Sequence, residues 1–384
     1  MTVVWIGLAL FYIASALVTM GRFRPPGDRG QVALPPCSIV VPVRGRSPFL
    51  EENLAALAAL ERLTGEVLVC VADERDAAIE VVAPIAERHR HRMRLLVGED
   101  RAFANPKLRN LAKGYRASRE EIVLFLDDSS ALDDAMLGDL LGALQSGAAL
   151  ATSAPLACDA RNFWAEVEAA TWNGNLVRLE SLLALLGKAA AFGNAIAFHK
   201  ASLEAVGGLS RMADGPCEDN ALSKALQANG GRLALTRSSV RRRIGRRSLA
   251  ETWHRHVRWK NCARWHDPVA FAAEPFVGGL AFNVLGTYVL SNALGGFPAA
   301  LLASMSIWYG TEMLLHVVCR WPVRAVTPLA WLVRDLAHPV FTLAALCTWR
   351  VDWRGNSIDM RFVGERRAPR RRLPPAARDP TAED

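Results

Sequence analysis

Glu121-Ile122-Val123-Leu124-Phe125-Leu126-Asp127-Asp128-Ser129-Ser130 is an apolar, β-forming run that stops abruptly on two carboxylates. A run of this length and composition reads as a buried strand. An acidic pair directly after it sits where an open α/β sheet gathers its chemistry, at the carboxyl ends of strands. Capping of a following helix is the structural alternative, because Asp and Ser are favoured N-caps.

Three similar runs precede it, at residues 38–43, 66–71 and 94–97, with helical patterns between them. One such helix is expected to start at Ser47 or Pro48 and run through Glu51-Glu52-Asn53-Leu54 to Leu60. Strands alternating with helices predict an α/β domain with a largely parallel sheet. The second strand runs straight into Asp73-Glu74-Arg75-Asp76, so carboxylates stand at two strand ends. A carboxylate there can accept from a ribose hydroxyl or a base N–H, and two together can hold a hard divalent cation against phosphates.

Further on, Arg255-His256-Val257-Arg258-Trp259 follows an isolated acidic pair, Glu218-Asp219. On a helix, positions 255, 258 and 259 share a face, so two guanidiniums and an indole converge, and guanidinium forks suit phosphate oxygens. An amphipathic basic helix lying on anionic lipid is the competing reading. For Asp219 the competing role is N-cap of a helix over residues 220–228.

Apolar residues make up 51% of the 384 positions, more than is usual for a soluble enzyme. Residues 3–20 carry no charge and are followed by Gly21-Arg22-Phe23-Arg24-Pro25-Pro26, which predicts a retained membrane helix with a basic cytoplasmic flank. Its arginines follow the apolar core, the reverse of a cleaved signal peptide. A second apolar block, residues 276–321, is interrupted by Ser291-Asn292-Ala293-Leu294-Gly295-Gly296-Phe297-Pro298 and reads as two spans joined by a turn. Residues 325–347 contain Arg334, Asp335 and His338, which would cost roughly several kcal/mol each if exposed to lipid, so this block is expected to be re-entrant or interfacial. Arg320, Arg324 and the arginines at 366, 367 and 370–372 all favour the cytoplasmic side.

The expected organisation is therefore an anchor (1–24), a cytoplasmic domain (35–274), a membrane region (275–350) and a cytoplasmic C-terminal segment (351–384) whose end is disordered. Seven scattered cysteines without a C-x-x-C pair argue against a disulfide framework or a zinc site and read as reduced packing residues. The net charge of +8 is concentrated in clusters such as Arg241-Arg242-Arg243-Ile244-Gly245-Arg246-Arg247. Beside a membrane anchor, such clusters favour anionic lipid over nucleic acid. His254, His256 and His266 lack the partner spacing of a metal site and read as structural. Trp253, Trp259 and Trp265 fit an interfacial belt.

The order of these features resembles the membrane-bound glycosyltransferases of the family 2 type and, within them, the ceramide glucosyltransferases classed as family 21. The resemblance rests on the N-terminal helix, the separated aspartates, Arg255-x-x-Arg258-Trp259 and the C-terminal membrane segments. It extends to Asn105-Pro106-Lys107-Leu108-Arg109-Asn110-Leu111 and Val351-Asp352-Trp353-Arg354-Gly355, covering residues 1–362.

The resemblance implies a GT-A type, Rossmann-like nucleotide-sugar domain between N-terminal and C-terminal transmembrane helices. It assigns Asp76, with Asp73, to the nucleotide end of a UDP-sugar, Asp127 to a divalent cation (Mg2+ or Mn2+) and the diphosphate, and Lys107 to a phosphate. Asp219 becomes the catalytic base, with Arg255, Arg258 and Trp259 lining the diphosphate and acceptor side. The wider family has D-x-D where this chain reads Asp127-Asp128-Ser129. That departure favours the ceramide branch and leaves Asp128 open as a substitute ligand. The implied reaction is an inverting transfer of a hexose to the hydroxyl of ceramide, with another lipid acceptor (hopanoid or diacylglycerol) and a non-catalytic lipid-binding adaptor as the alternatives.

Overall fold

The computed structural model describes residues 1–23, 33–98, 100–213, 217–353 and 356–360. The expected disordered tail and Arg354-Gly355 lie outside the described residues.

Helix α1 (Thr2–Arg22) precedes a stretch of alternating elements: β1 (Cys37–Val43), α2 (Leu50–Ala58), β2 (Gly65–Val71), α3 (Ile79–Arg88), β3 (Met93–Val97), α4 (Pro106–Ala117) and β4 (Ile122–Leu126). Next come β5 (Ser130–Ala131), α5 (Asp134–Gln145), β6 (Leu150–Thr152), β7 (Pro155–Ala160) and α6 (Phe163–Ala170). Helix α6 runs through a π-helical turn (Thr171–Leu176) into α7 (Val177–Leu185). Then follow β8 (Ala195–His199), α8 (Lys200–Ala205), α9 (Leu209–Met212), α10 (Glu218–Ala228), β9 (Leu233–Leu235) and β10 (Val240–Gly245). The remainder is α11 (Leu249–His266), α12 (Pro268–Val277), α13 (Gly279–Leu290), α14 (Phe297–Val318), α15 (Thr327–Cys347) and a hairpin of β11 (Arg350–Trp353) and β12 (Asn356–Asp359).

All four expected strands form, and they pair in parallel in the order β3-β2-β1-β4. The seven-stranded sheet continues through β8 and β6 to β9, and β8 is antiparallel to both its neighbours. Period-two alternation feeds two cores. Ile39, Val41, Val67, Val69 and Leu124 face the side of α2, α3 and α5, while Val40, Leu68, Val123 and Phe125 face α4. Gly114 permits that second packing, because a Cβ there would lie 2.3 Å from the Val40 side chain. Helix α2 is shorter than expected: Phe49 adopts φ +66°, so the helix begins at Leu50 and ends at Ala58.

Among the described residues α1, α14 and α15 are each long and apolar enough to cross a membrane, and α12 with α13 form an apolar pair bent by 43°. The sheet domain grips the end of the anchor, since Arg22 Nη1 donates to the Leu235 carbonyl, 2.9 Å away. Within the 325–347 block, expected to be re-entrant or interfacial, residues 327–347 form one continuous helix. Its start bonds α6, Thr327 Oγ1 donating to Glu166, and its end accepts from α11, Arg264 Nη1 donating to Ala345 O at 2.9 Å. The charges at its centre are neutralised internally. Arg334 is 2.8 Å from Asp335 and pairs through both Nη atoms with Glu312 of α14, at 2.5 and 2.9 Å.

The expectation that all cysteines are reduced packing residues needs correction at two positions. Cys217, just before α10, is joined to Cys262 of α11 in a disulfide with a Cα–Cα distance of 6.4 Å.

Candidate active site

The Asn105-Pro106-Lys107 segment starts α4 for a legible reason. Asn105 Oδ1 accepts from the backbone N–H groups of Lys107 (2.9 Å) and Leu108 (3.4 Å), and Pro106 supplies a preset helical φ. This cap aims two groups at the carboxylates. Asn105 Nδ2 donates to Glu218 Oε2 at 3.1 Å. Lys107 Nζ reaches Asp127 Oδ1 (2.8 Å), Glu218 Oε1 (2.7 Å) and the Gly193 carbonyl (3.2 Å).

Asp219 completes the cluster from the first turn of α10. Its Oδ2 accepts from Gly193 N–H at 2.7 Å and its Oδ1 from Asn220 N–H at 2.8 Å. It is therefore not the cap of this helix; Cys217 holds that position without a side-chain bond. Burial, then the adjacent Glu218 charge, push the Asp219 carboxyl up to about 6, against the pull of Lys107. Burial alone would lower the Lys107 pKa, but Asp127, Glu218 and Asp219 more than reverse this and hold the ammonium charged.

Helix α11 supplies the arginines, and the two differ. Arg258 feels Glu218 and Asp127, while burial and the like charge of Arg255 lower its pKa to about 10. Arg255 is tied instead to Glu168 of α6, with Nε 3.0 Å from Oε2, and its guanidinium carbon lies 5.4 Å from the centre of the Trp259 ring. Glu168 is fully buried beside three arginines, Arg247 at 3.0 Å and Arg242 at 3.9 Å being the others. Burial would raise its pKa, but Arg255, Arg242 and Arg247 pull it down to about 2. Trp259 packs edge-on against Trp172 at 5.1 Å.

His256 is structural. Its Nδ1–H donates to Thr252 O at 2.7 Å, Nε2 contacts Thr171 Oγ1 at 2.9 Å, and burial lowers its pKa to about 4.

The aspartates after β2 are held by partners of their own. Asp76 Oδ1 accepts from Gly45 N–H (2.8 Å) and Ala78 N–H (2.9 Å), which ties the loop after β1 to the end of β2. Asp73 is exposed and accepts from Arg75 N–H. Asp128 is 4% exposed, with its carbonyl accepting from Asn53, whereas Asp127 is partly open. Among the described residues no group of three His, Cys, Asp or Glu side chains could hold a metal ion. Asp127 nonetheless offers the hard carboxylate oxygen that Mg2+ or Mn2+ favours.

Three participants were given no role of their own from sequence. Gly193 is glycine because a Cβ there would stand 3.0 Å from both Asp219 Oδ2 and Lys107 Nζ. Glu218 was visible only as the neighbour of Asp219. Glu168 lies in an ordinary-looking helix, and its arginines are scattered across α11 and the β10–α11 region.

A mixed α/β sheet brings Asp127, at the end of β4, together with Glu218 and Asp219 of α10, and helices apolar enough to span a membrane flank it, the architecture of a membrane-associated GT-A type protein. The model of glycosyl transferase family 21 matches residues 1–365, and the chain belongs to that family. It is 24% identical over 340 residues to ceramide glucosyltransferase 1 of Caenorhabditis elegans, covering 86% of this chain and 73% of the relative. Ceramide glucosyltransferase 3 of the same organism is 22% identical, with 87% and 74% covered. Among solved structures, a mannosyltransferase from Pyrobaculum calidifontis in complex with GDP-Man and Mn2+ shares the fold at a TM-score of 0.50 and 18% identity, covering 87% of this chain and 98% of that one.

Proposed function

We propose that the protein transfers a hexose from a UDP-sugar to the primary hydroxyl of ceramide with inversion at the anomeric carbon. The observation that carries this reading is the Asp219 carboxylate, fixed by Gly193 N–H and raised to about 6. Such a group is ionised at neutral pH yet basic enough to take a hydroxyl proton. The acceptor oxygen forms the new bond to the anomeric carbon, the bond from that carbon to the diphosphate oxygen breaks, and the proton passes to Asp219. Arg258 receives the charge that develops on the departing diphosphate. Lys107 orders the carboxylates and meets a phosphate oxygen when the donor binds.

Asp73 and Asp76 stand at the nucleotide end in this reading, and Asp128 is a buried support rather than a ligand. Arg255, held by Glu168, positions Trp259 on the acceptor side. A divalent cation fits at Asp127, with its remaining ligands drawn from the donor diphosphate and water, and it would neutralise phosphate charge. The names of the relatives favour ceramide as acceptor.

In the same reading residues 35–274 form the cytoplasmic catalytic unit. Helix α15 lies in the membrane interface, because both its ends rest on helices of the sheet domain. The C-terminal segment then stays in the cytoplasm.

The test is UDP release by detergent-purified protein given UDP-glucose and other UDP-hexoses, with ceramide, diacylglycerol or a hopanoid, with and without EDTA. Ceramide-dependent release supports the reading. Release with another lipid alone reassigns the acceptor, and none with any pair overturns it.

A further inference from the structure

Helix α7 is amphipathic in the reverse sense. Positions 179, 182, 183 and 186 share a face at helical spacing, and all four are leucine. That face points outward. Leu179 is 50% exposed, Leu185 and Leu186 at the end of the helix are each 63% exposed, and Leu182 and Leu183 are half-buried between them. The polar side chains go the other way, because Glu180 and Ser181 are buried. A helix facing water shows the opposite pattern, and a contiguous leucine surface marks contact with another protein or a membrane.

The setting of α7 decides between them. It packs on the membrane helix α1, where Val177 shares a buried cluster with Ala16 and Met20. The guanidinium carbon of Arg178 lies 3.9 Å from the centre of the Tyr12 ring. Helix α1 is apolar enough to cross a membrane and leaves Leu10 and Leu17 exposed. The leucine face is therefore carried against a span, where lipid chains are the adjoining medium. Beyond it, Gly187 turns the chain at φ +70° and Lys188 is exposed, its ammonium suited to the level of the headgroups.

The inner face of α7 leads to the carboxylate cluster. Glu180 accepts from Ala190 N–H. The next two N–H groups, of Ala191 and Phe192, donate to Ser223 Oγ of α10 at 2.8 Å and to Thr152 Oγ1 of β6 at 3.1 Å. Gly193 N–H then donates to Asp219. Four successive backbone donors are thus held by side chains, and the chain between Leu186 and the base has little freedom.

We propose that the leucine face of α7 is seated among the acyl chains of the leaflet adjoining the sheet domain, so that the segment holding Asp219 is carried at the membrane surface. The bilayer contact stands by itself. Its use, presenting the base to a lipid hydroxyl, rests on the function proposed above.

The experiment places a nitroxide at Leu186→Cys of the full chain in phosphatidylcholine and phosphatidylglycerol nanodiscs. The background carries Cys347→Ser, because Cys347 is exposed. Power saturation compares collisions with oxygen, which concentrates among acyl chains, and with a water-soluble nickel chelate. Oxygen should exceed nickel, as at a Leu17→Cys reference on α1, and the order should reverse at an Arg90→Cys reference on the exposed surface after α3. Nickel equal to or above oxygen would put the leucines in water. Low collision with both would mean that protein, such as a second copy, covers them. Either result overturns the proposal. Leu179→Cys repeats the measurement should the first variant fail to fold. No turnover is needed, so a failed docking and a failed assignment of the reaction are told apart.

Discussion

Lys107 Nζ lies 2.7 Å from Glu218 Oε1, and the same ammonium reaches Asp127 at 2.8 Å, so one lysine is the internal counter-ion of a carboxylate cluster. The N-terminus of α4 is thereby coupled to the start of α10, where Asp219 sits. Replacing Lys107 with Met leaves buried carboxylates uncompensated, and their charged forms become costlier. The Asp219 pKa should then rise further above 6. We expect Lys107→Met to lower kcat at pH 7 by about 100-fold or more and to move the acid limb of the pH profile upward. A rate profile over pH 5–9 checks both, and an unmoved limb would remove the lysine from this role.

Asp219→Asn should lower kcat by about 10²–10⁴ while UDP binding stays within about twofold, since the amide keeps the shape and loses the base. In the wild type, kcat/KM should rise with pH through about 6, because the protonated carboxyl below that value cannot accept a proton. The stability sign is opposite. A carboxyl raised above its ordinary value favours folding on the acid side, and that contribution declines as pH rises through 6. Steady-state kinetics with UDP calorimetry separates the two effects; full activity in purified Asp219→Asn would eliminate the base.

Gly193→Ala tests how tightly the cluster is built. The new methyl would stand 3.0 Å from both Asp219 Oδ2 and Lys107 Nζ, so one of them must shift. With the carboxylate displaced by a few tenths of an ångström, kcat should fall roughly 10- to 100-fold while the unfolding temperature changes little. A wild-type rate in this variant would show that the carboxylate has slack.

Much of this was legible because it is local. The four apolar runs read as strands, and a strand ending in Asp127-Asp128 pointed to a carboxylate at the carboxyl end of a strand, which Asp127 supplies beside Lys107. The Asn105-Pro106-Lys107 start is a cap written in three adjacent residues. What was not legible is set by tertiary packing. Nothing near Glu168 says that Arg242, Arg247 and Arg255 will converge on it. The pairing of Cys217 with Cys262 depends on α10 lying beside α11, and spacing alone cannot report that. The charges in α15 raised the expectation of a re-entrant or interfacial segment; the pairing of Arg334 with Glu312 shows how one continuous helix carries them.

Glu168 carries the last prediction. Its carboxylate is fully buried and lies within 4 Å of three guanidiniums, from Arg242, Arg247 and Arg255. Removing its charge leaves those cations facing one another, and breaking a buried ion pair from one side costs roughly 3–5 kcal/mol. Glu168→Gln keeps the volume and part of the hydrogen bonding, so a loss of a few kcal/mol is expected, read as a lower unfolding temperature in detergent. The pH dependence identifies the cause. With a folded pKa near 2 against an ordinary 4.5, the stabilising contribution is complete above about pH 4.5 and is lost as pH falls toward 2. The gap between wild type and variant should therefore be constant from pH 7 to about 4.5 and narrow below it. A gap that does not narrow on acidification would mean that the variant fails through packing and not through charge.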